Sequence, residues 1–180
     1  MTEGGPSRKR SAAPGVTLEV DVVRHGEAWA PARIADAALR RAARAAILAA
    51  SPPPGAYQVT LVLTDNAEMR GLNRTWRSKD ATTNVLSFPA DEAISEPGFL
   101  GDVVIAYETT REEAREQNIA LQDHLFHLVV HGVLHLLGCN HEEDEEAERM
   151  ETLERTALAS LGIANPYADE QALHPAEVSS

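Results

Sequence analysis

His131, His135 and His141 are the residues of this chain whose type and spacing could do chemistry, in the run His131-Gly132-Val133-Leu134-His135-Leu136-Leu137-Gly138-Cys139-Asn140-His141. Four residues separate His131 from His135, so a helix sets them one turn apart on the same face. Gly138 is suited to end that helix, because glycine adopts the left-handed conformation at little cost. The chain can then turn and bring His141 back toward the other two. Three neutral imidazoles with no fourth protein ligand in the run describe a catalytic zinc site with an open position. Nickel, cobalt or copper would suit the same donors.

His124 and His127 lie on the same stretch and compete for the role. His127 and His135 are eight residues apart, about 12 Å along a helix at ~1.5 Å per residue. Ligand bonds of about 2.0–2.1 Å cannot span that distance around His131. Either 127/131 or 131/135 forms the pair, and His141 beyond the glycine selects the second. His127 is then expected to support a ligand or to pack, and His124 and His25 to be ordinary surface or satisfied histidines. Cys139, the single cysteine, could in principle bind metal but reads as a small filler in the turn.

The ligand spacing matches an extended zinc-protease pattern in which Glu follows the first His. Here that place is held by Gly132, so the usual carboxylate base is missing and a peptidase reading is weakened. A water on the metal could still act as nucleophile if another group stabilised the charge developing on the substrate. Arg70, Arg74 and Arg77, at i, i+4 and i+7, share one helical face, and Lys79 extends the patch. Guanidinium forks suit phosphate oxygens, although a solvated basic face would have the same spacing. The formal net charge of −12 counts against a nucleic-acid partner as a whole-chain measure. Its distribution matters more: acidic residues gather at 142–148, a solvated helix start that would steer a polyanion to the arginine side.

The elements that must position these groups are legible from periodicity. Strands are expected at 17–24, 57–64, 85–88 and 102–107. Helices are expected at 31–50, opened by Pro31, from Asp65 to about 77, at 109–117, at 122–137 and at 142–161. Asp65 with Glu68, and Thr109 with Glu112, are the expected caps of two of them. The pattern predicts one mixed α/β or α+β domain over 16–164, a small four-stranded sheet packed with about five helices. Tails are expected at 1–15 and 165–180. No apolar run is long enough to span a bilayer, no secretory signal is evident, and one cysteine suits a reducing cytoplasm.

Three segments in order then resemble a known family: 72–89 (LNRTWRSKDATTNVLSFP), 100–105 (LGDVVI) and 131–141 (HGVLHLLGCNH). They are similar to the YbeY family of bacterial metal-dependent endoribonucleases. The family's third motif usually ends Gly-Tyr-Asp-His, where this chain has Gly138-Cys139-Asn140-His141. The resemblance implies a single-strand-specific RNA hydrolase acting in ribosomal RNA maturation, near the 3′ end of the small-subunit RNA, and in ribosome quality control. It implies one zinc ion on His131, His135 and His141, and an arginine needed for activity at Arg77. Ribosomal RNA, the small ribosomal subunit and its assembly factors are the implied partners. Arg70, Arg74 and Lys79 are candidate RNA contacts, and Ser87 and Asp102 candidate supporting residues. Two rivals remain: a zinc metallopeptidase-like hydrolase, and a non-catalytic assembly factor whose zinc site Cys139 would close.

Overall fold

Alternation along the strands decides the layers. The computed structural model describes residues 15–168; residues 1–14 and 169–180, which hold most of the two expected tails, lie outside it. Strands β1 (Val16–Arg24), β2 (Gly55–Thr64) and β4 (Phe99–Ala106) run parallel, and β3 (Val85–Pro89) runs antiparallel to β4. The sheet order is β1-β2-β4-β3. Leu61 pairs with Val103 and Leu63 with Ile105, and all four are buried on one face. Val104 and Ala106 point the other way, to a smaller cluster with Met69 and Leu86. Both faces of β4 are therefore covered, which explains its nearly continuous apolar run.

Among the described residues, five α-helices complete a single α+β domain: α1 (Asp36–Ala50), α2 (Asn66–Arg77), α3 (Tyr107–Glu116), α4 (Leu121–Leu136) and α5 (Asp144–Ser160). Helices α1, α4 and α5 build the larger core with the sheet, while α2 covers the opposite face. Helix α4 is apolar around most of its circumference; Leu125, Phe126, Val129, Val130, Val133 and Leu134 are all buried. A helix of that kind belongs in an interior. His131 and His135 remain partly exposed and mark its open edge.

Asp65 caps α2 as expected, accepting the Glu68 amide at 2.9 Å. Two expectations fail. Pro31 opens only a 3₁₀ turn, Ala30–Ala32, after which Arg33 takes φ 50° and α1 begins at Asp36. The cause is Trp29, whose buried indole donates to the Thr64 carbonyl at 3.0 Å and pins this segment over the strand ends. Thr109 does not cap a helix: α3 already starts at Tyr107, and Thr109 donates instead to Asn66 Oδ1 at 2.8 Å. Tyr107 leaves the strand early because its ring packs edge-on against Trp29, centroids 5.0 Å apart.

Candidate metal centre

Helix α4 stops where glycine permits. Gly138 has φ 86°; its amide donates to the His135 carbonyl at 3.0 Å, and the Cys139 amide donates to Leu134 at 3.0 Å. These two bonds make a Schellman cap, which reverses the chain within three residues. His141 is thereby returned to the helix edge, its ring centroid 5.2 Å from His135 and 5.9 Å from His131. The Nε2 atoms of His131 and His135 are 3.0 Å apart. One donor atom from each of the three histidines lies within 4.8 Å of the others. Tetrahedral coordination with bonds of about 2.0–2.1 Å sets donors ~3.3 Å apart, so this trio fits one ion after small ring rotations.

The electrostatics agree with a metal role. Burial lowers the pKa of His135, the neighbouring His131 and His141 lower it further, and together they bring it to about 4. At neutral pH that ring keeps a free lone pair, the form a metal requires. The Cys139 backbone and the Glu154 carboxylate oppose this lowering without reversing it.

One residue that sequence reasoning missed sits behind the trio. Glu154 of α5 is fully buried, and its Oε1 is hydrogen-bonded to His131 Nδ1. Its Oε2 receives the Tyr167 hydroxyl and lies 3.3 Å from His127 Nε2. Burial alone would raise this carboxyl, but the hydrogen bonds from His127, His131 and Tyr167 and the charge of His131 outweigh it and hold it at about 2. A signal was present: Glu154 is spaced with Met150, Ala157 and Leu158 on the buried stripe of an otherwise acidic helix. Helix interiors almost never carry such a carboxylate unless it has partners.

Of the remaining histidines, His124 is not the surface or fully satisfied residue expected, because its Nδ1 is buried without a hydrogen-bond partner among the described residues. His124 is buried with Nε2 2.7 Å from Glu113, and His25 meets Glu68 at 2.9 Å on the surface. Cys139 is partly buried against the larger core, burial pushes its thiol pKa up, and its sulfur joins no donor group among the described residues. It does not close the site. A Cβ built on Gly132 would meet Val103 Cγ1 at 2.4 Å, so a glutamate is excluded from that position by packing. The peptidase reading loses its base for a structural reason.

A cleft of about 550 Å³ opens in front of the three histidines. Arg77, Lys79, Asn140 and Glu142 line it together with the histidines. Arg77 is held by one hydrogen bond, from its Nη2 to the Ser87 carbonyl at 3.1 Å. Ser87 in turn clips β3 to α4 by donating from Oγ to the Gly132 carbonyl at 3.1 Å. Arg70 and Arg74 do not line the cleft, and Arg70 is engaged by Asp80 through a bidentate pair at 2.7 and 3.0 Å. Asp102 faces a different groove, beyond Ser87, with Trp76, Phe88 and Val104; burial raises its pKa.

Comparison with known proteins bears on this arrangement. The family model described as endoribonuclease YbeY matches residues 30–162. The chain belongs to the YbeY family. It is 48% identical over 162 residues to "Endoribonuclease YbeY" of Paramagnetospirillum magneticum, covering 86% of this chain and 99% of that one. It is 49% identical over 156 residues to the protein of the same name in Pseudomonas putida, covering 86% and 96%. The solution structure of TM1509 from Thermotoga maritima shares the fold, with a TM-score of 0.53 at 22% identity over 82% of this chain and 98% of that one. Among the described residues, no helix is long and apolar enough to cross a membrane.

Proposed function

We propose that this protein is a zinc-dependent endoribonuclease that cuts single-stranded RNA, with His131, His135 and His141 as metal ligands and Arg77 as the catalytic cation. The observation that carries the reading is the shared cleft: three convergent imidazoles and an anchored guanidinium line the same opening. Zinc on that trio would supply Lewis acidity and positive charge beside the scissile phosphate at neutral pH. The Ser87 carbonyl occupies one Arg77 N–H, which orients the fork and leaves its other donors for phosphate oxygens. Charge developing in the transition state then meets a donor already in place. Lys79 adds a point charge to the cleft lining, and Glu142 repels the strand from its own part of the rim.

Family membership supports the RNA substrate. We extend the reading to ribosomal RNA maturation near the 3′ end of the small-subunit RNA and to ribosome quality control, in the cytoplasm, with the small subunit and its assembly factors as partners. Purified protein incubated with end-labelled single-stranded RNA tests the chemistry. Arg77→Ala is expected to lower the rate by about 10²–10³-fold, the cost of losing one transition-state donor, with zinc content unchanged. Arg77→Lys should recover little of it, because a point charge cannot replace the fork. His131→Ala should lose both zinc and cleavage. Equal cleavage by wild type and all variants would assign the activity to a contaminant and end the proposal.

A further inference from the structure

The carboxylate of Glu154 stands behind the metal trio without reaching the cleft, and its surroundings say what it is for. It is buried on α5, yet both of its oxygens are occupied: Oε1 by His131 Nδ1, Oε2 by the Tyr167 hydroxyl and, at 3.3 Å, His127 Nε2. His131 is thus gripped at Nδ1 from behind while its Nε2 faces His135 at 3.0 Å. An imidazole can rotate about its Cβ–Cγ bond and can carry its proton on either nitrogen. A carboxylate at Nδ1 removes both freedoms, leaving Nε2 unprotonated and aimed outward.

We propose that Glu154 is a positioning residue that fixes the orientation and tautomer of His131 for metal binding, with Tyr167 and His127 holding the carboxylate in turn. This explains three observations at once: a buried carboxylate in an acidic surface helix, a histidine (His127) in register with the ligands but outside their trio, and a tyrosine beyond α5 docked on this spot. The inference rests on the assignment of His131, His135 and His141 as ligands; it does not require that the substrate be RNA.

His127, His131 and Glu154 also bring three donor atoms within 4.8 Å of one another, so a second ion is the competing account. The hydrogen-bond contacts on both Glu154 oxygens, including the Tyr167 hydroxyl, favour a proton network there.

Zinc affinity, measured on metal-free full-length protein by competition with a chromophoric chelator, tests the proposal. Glu154→Gln is expected to weaken zinc binding by about 10–100-fold, the usual effect of losing such a partner. Tyr167→Phe should cause a smaller loss in the same direction. Met150→Ala, which removes packing from the same buried stripe without touching the carboxylate, should leave affinity unchanged. In zinc-loaded wild type, imidazole ¹⁵N shifts should show His131 coordinated through Nε2 with the proton on Nδ1; this measurement stands even if Glu154→Gln does not fold. Coordination through Nδ1, two zinc ions per chain, or folded Glu154→Gln binding zinc as tightly as wild type would each overturn the proposal. If Met150→Ala weakens zinc as much as Glu154→Gln, the role is packing alone and the proposal fails. A wild type that takes no zinc removes the ligand assignment and this proposal with it. Zinc binding that follows the expected pattern without RNA cleavage removes only the nuclease reading.

Discussion

Gly132 lies between two of the proposed ligands on the helix, and the space around it is already full. A Cβ there would meet the buried Val103 at 2.4 Å (Cγ1) and 3.0 Å (Cγ2), and Ser87 Oγ at 3.2 Å. Valine is branched at Cβ and stiff, so it cannot swing aside as a long side chain would. Alanine normally favours a helix over glycine by up to about 1 kcal/mol, while overpacking costs about 1–3 kcal/mol. The second effect wins here. Gly132→Ala is expected to destabilise the zinc-free protein by about 1–2 kcal/mol in urea unfolding, and a stabilised variant would refute the packing argument. The same crowding bears on the clip by which Ser87 ties β3, and through its carbonyl Arg77, to the ligand helix. Residue types alone reveal a missing base at position 132; the contact with Val103 shows why one cannot be installed.

At the scale of elements, the cap that ends α4 is what brings a third histidine back to the two on the helix. Gly138 has open space around it, so a side chain there meets no clash and the cost is purely that of φ 86°. For an L-residue this is roughly 1–2 kcal/mol. Gly138→Ala should lower stability by that amount and weaken zinc binding, because relaxing the turn moves His141 away from its partners. Gly138→Asn, which tolerates the left-handed region better, should lose less of both in the same unfolding and competition measurements. The turn was legible in the sequence because its information is local: spacing of four, then glycine, then the third histidine. Strand positions, the Asp65 cap and the apolar ligand helix were legible for the same reason. What escaped depends on distant parts of the chain. Pro31 has the credentials of a helix start, yet Trp29 beside it is tied to Thr64 and Ile105. Thr109 reads as a cap until Asn66, 43 residues away, takes its hydroxyl. Arg70, in phase with Arg77, is drawn off by Asp80. Glu154 hides among acids: its spacing with Met150, Ala157 and Leu158 marks it as inward-facing, but the partners it meets there, His131 and Tyr167, are set by the fold.

Taken as a whole, the molecule carries a net charge of −12 and still presents Arg77 and Lys79 at the cleft lined by His131, His135 and His141. The acids at the start of α5 follow Glu142 in the chain, so they disfavour a polyanion near that part of the rim. The proposed metal site also draws on distant pieces of the fold: α4 and its cap supply the three histidines, α5 the Glu154 carboxylate, and the segment beyond α5 Tyr167. An ion held there binds the folded chain far better than the unfolded one, and its binding energy becomes folding energy. With free zinc at a hundred times its dissociation constant the gain is about 2.7 kcal/mol. For a domain of this size each kcal/mol moves Tm by about 2–4 °C, so zinc should raise the transition by about 5–10 °C and chelation should reverse it. His141 is exposed and contributes little to the core, so His141→Ala should melt near the zinc-free wild type while losing most of the zinc-dependent rise. Calorimetry of both proteins with zinc and with chelator makes the comparison. Identical wild-type transitions in the two conditions would mean that these three rings, however close, do not hold an ion in common.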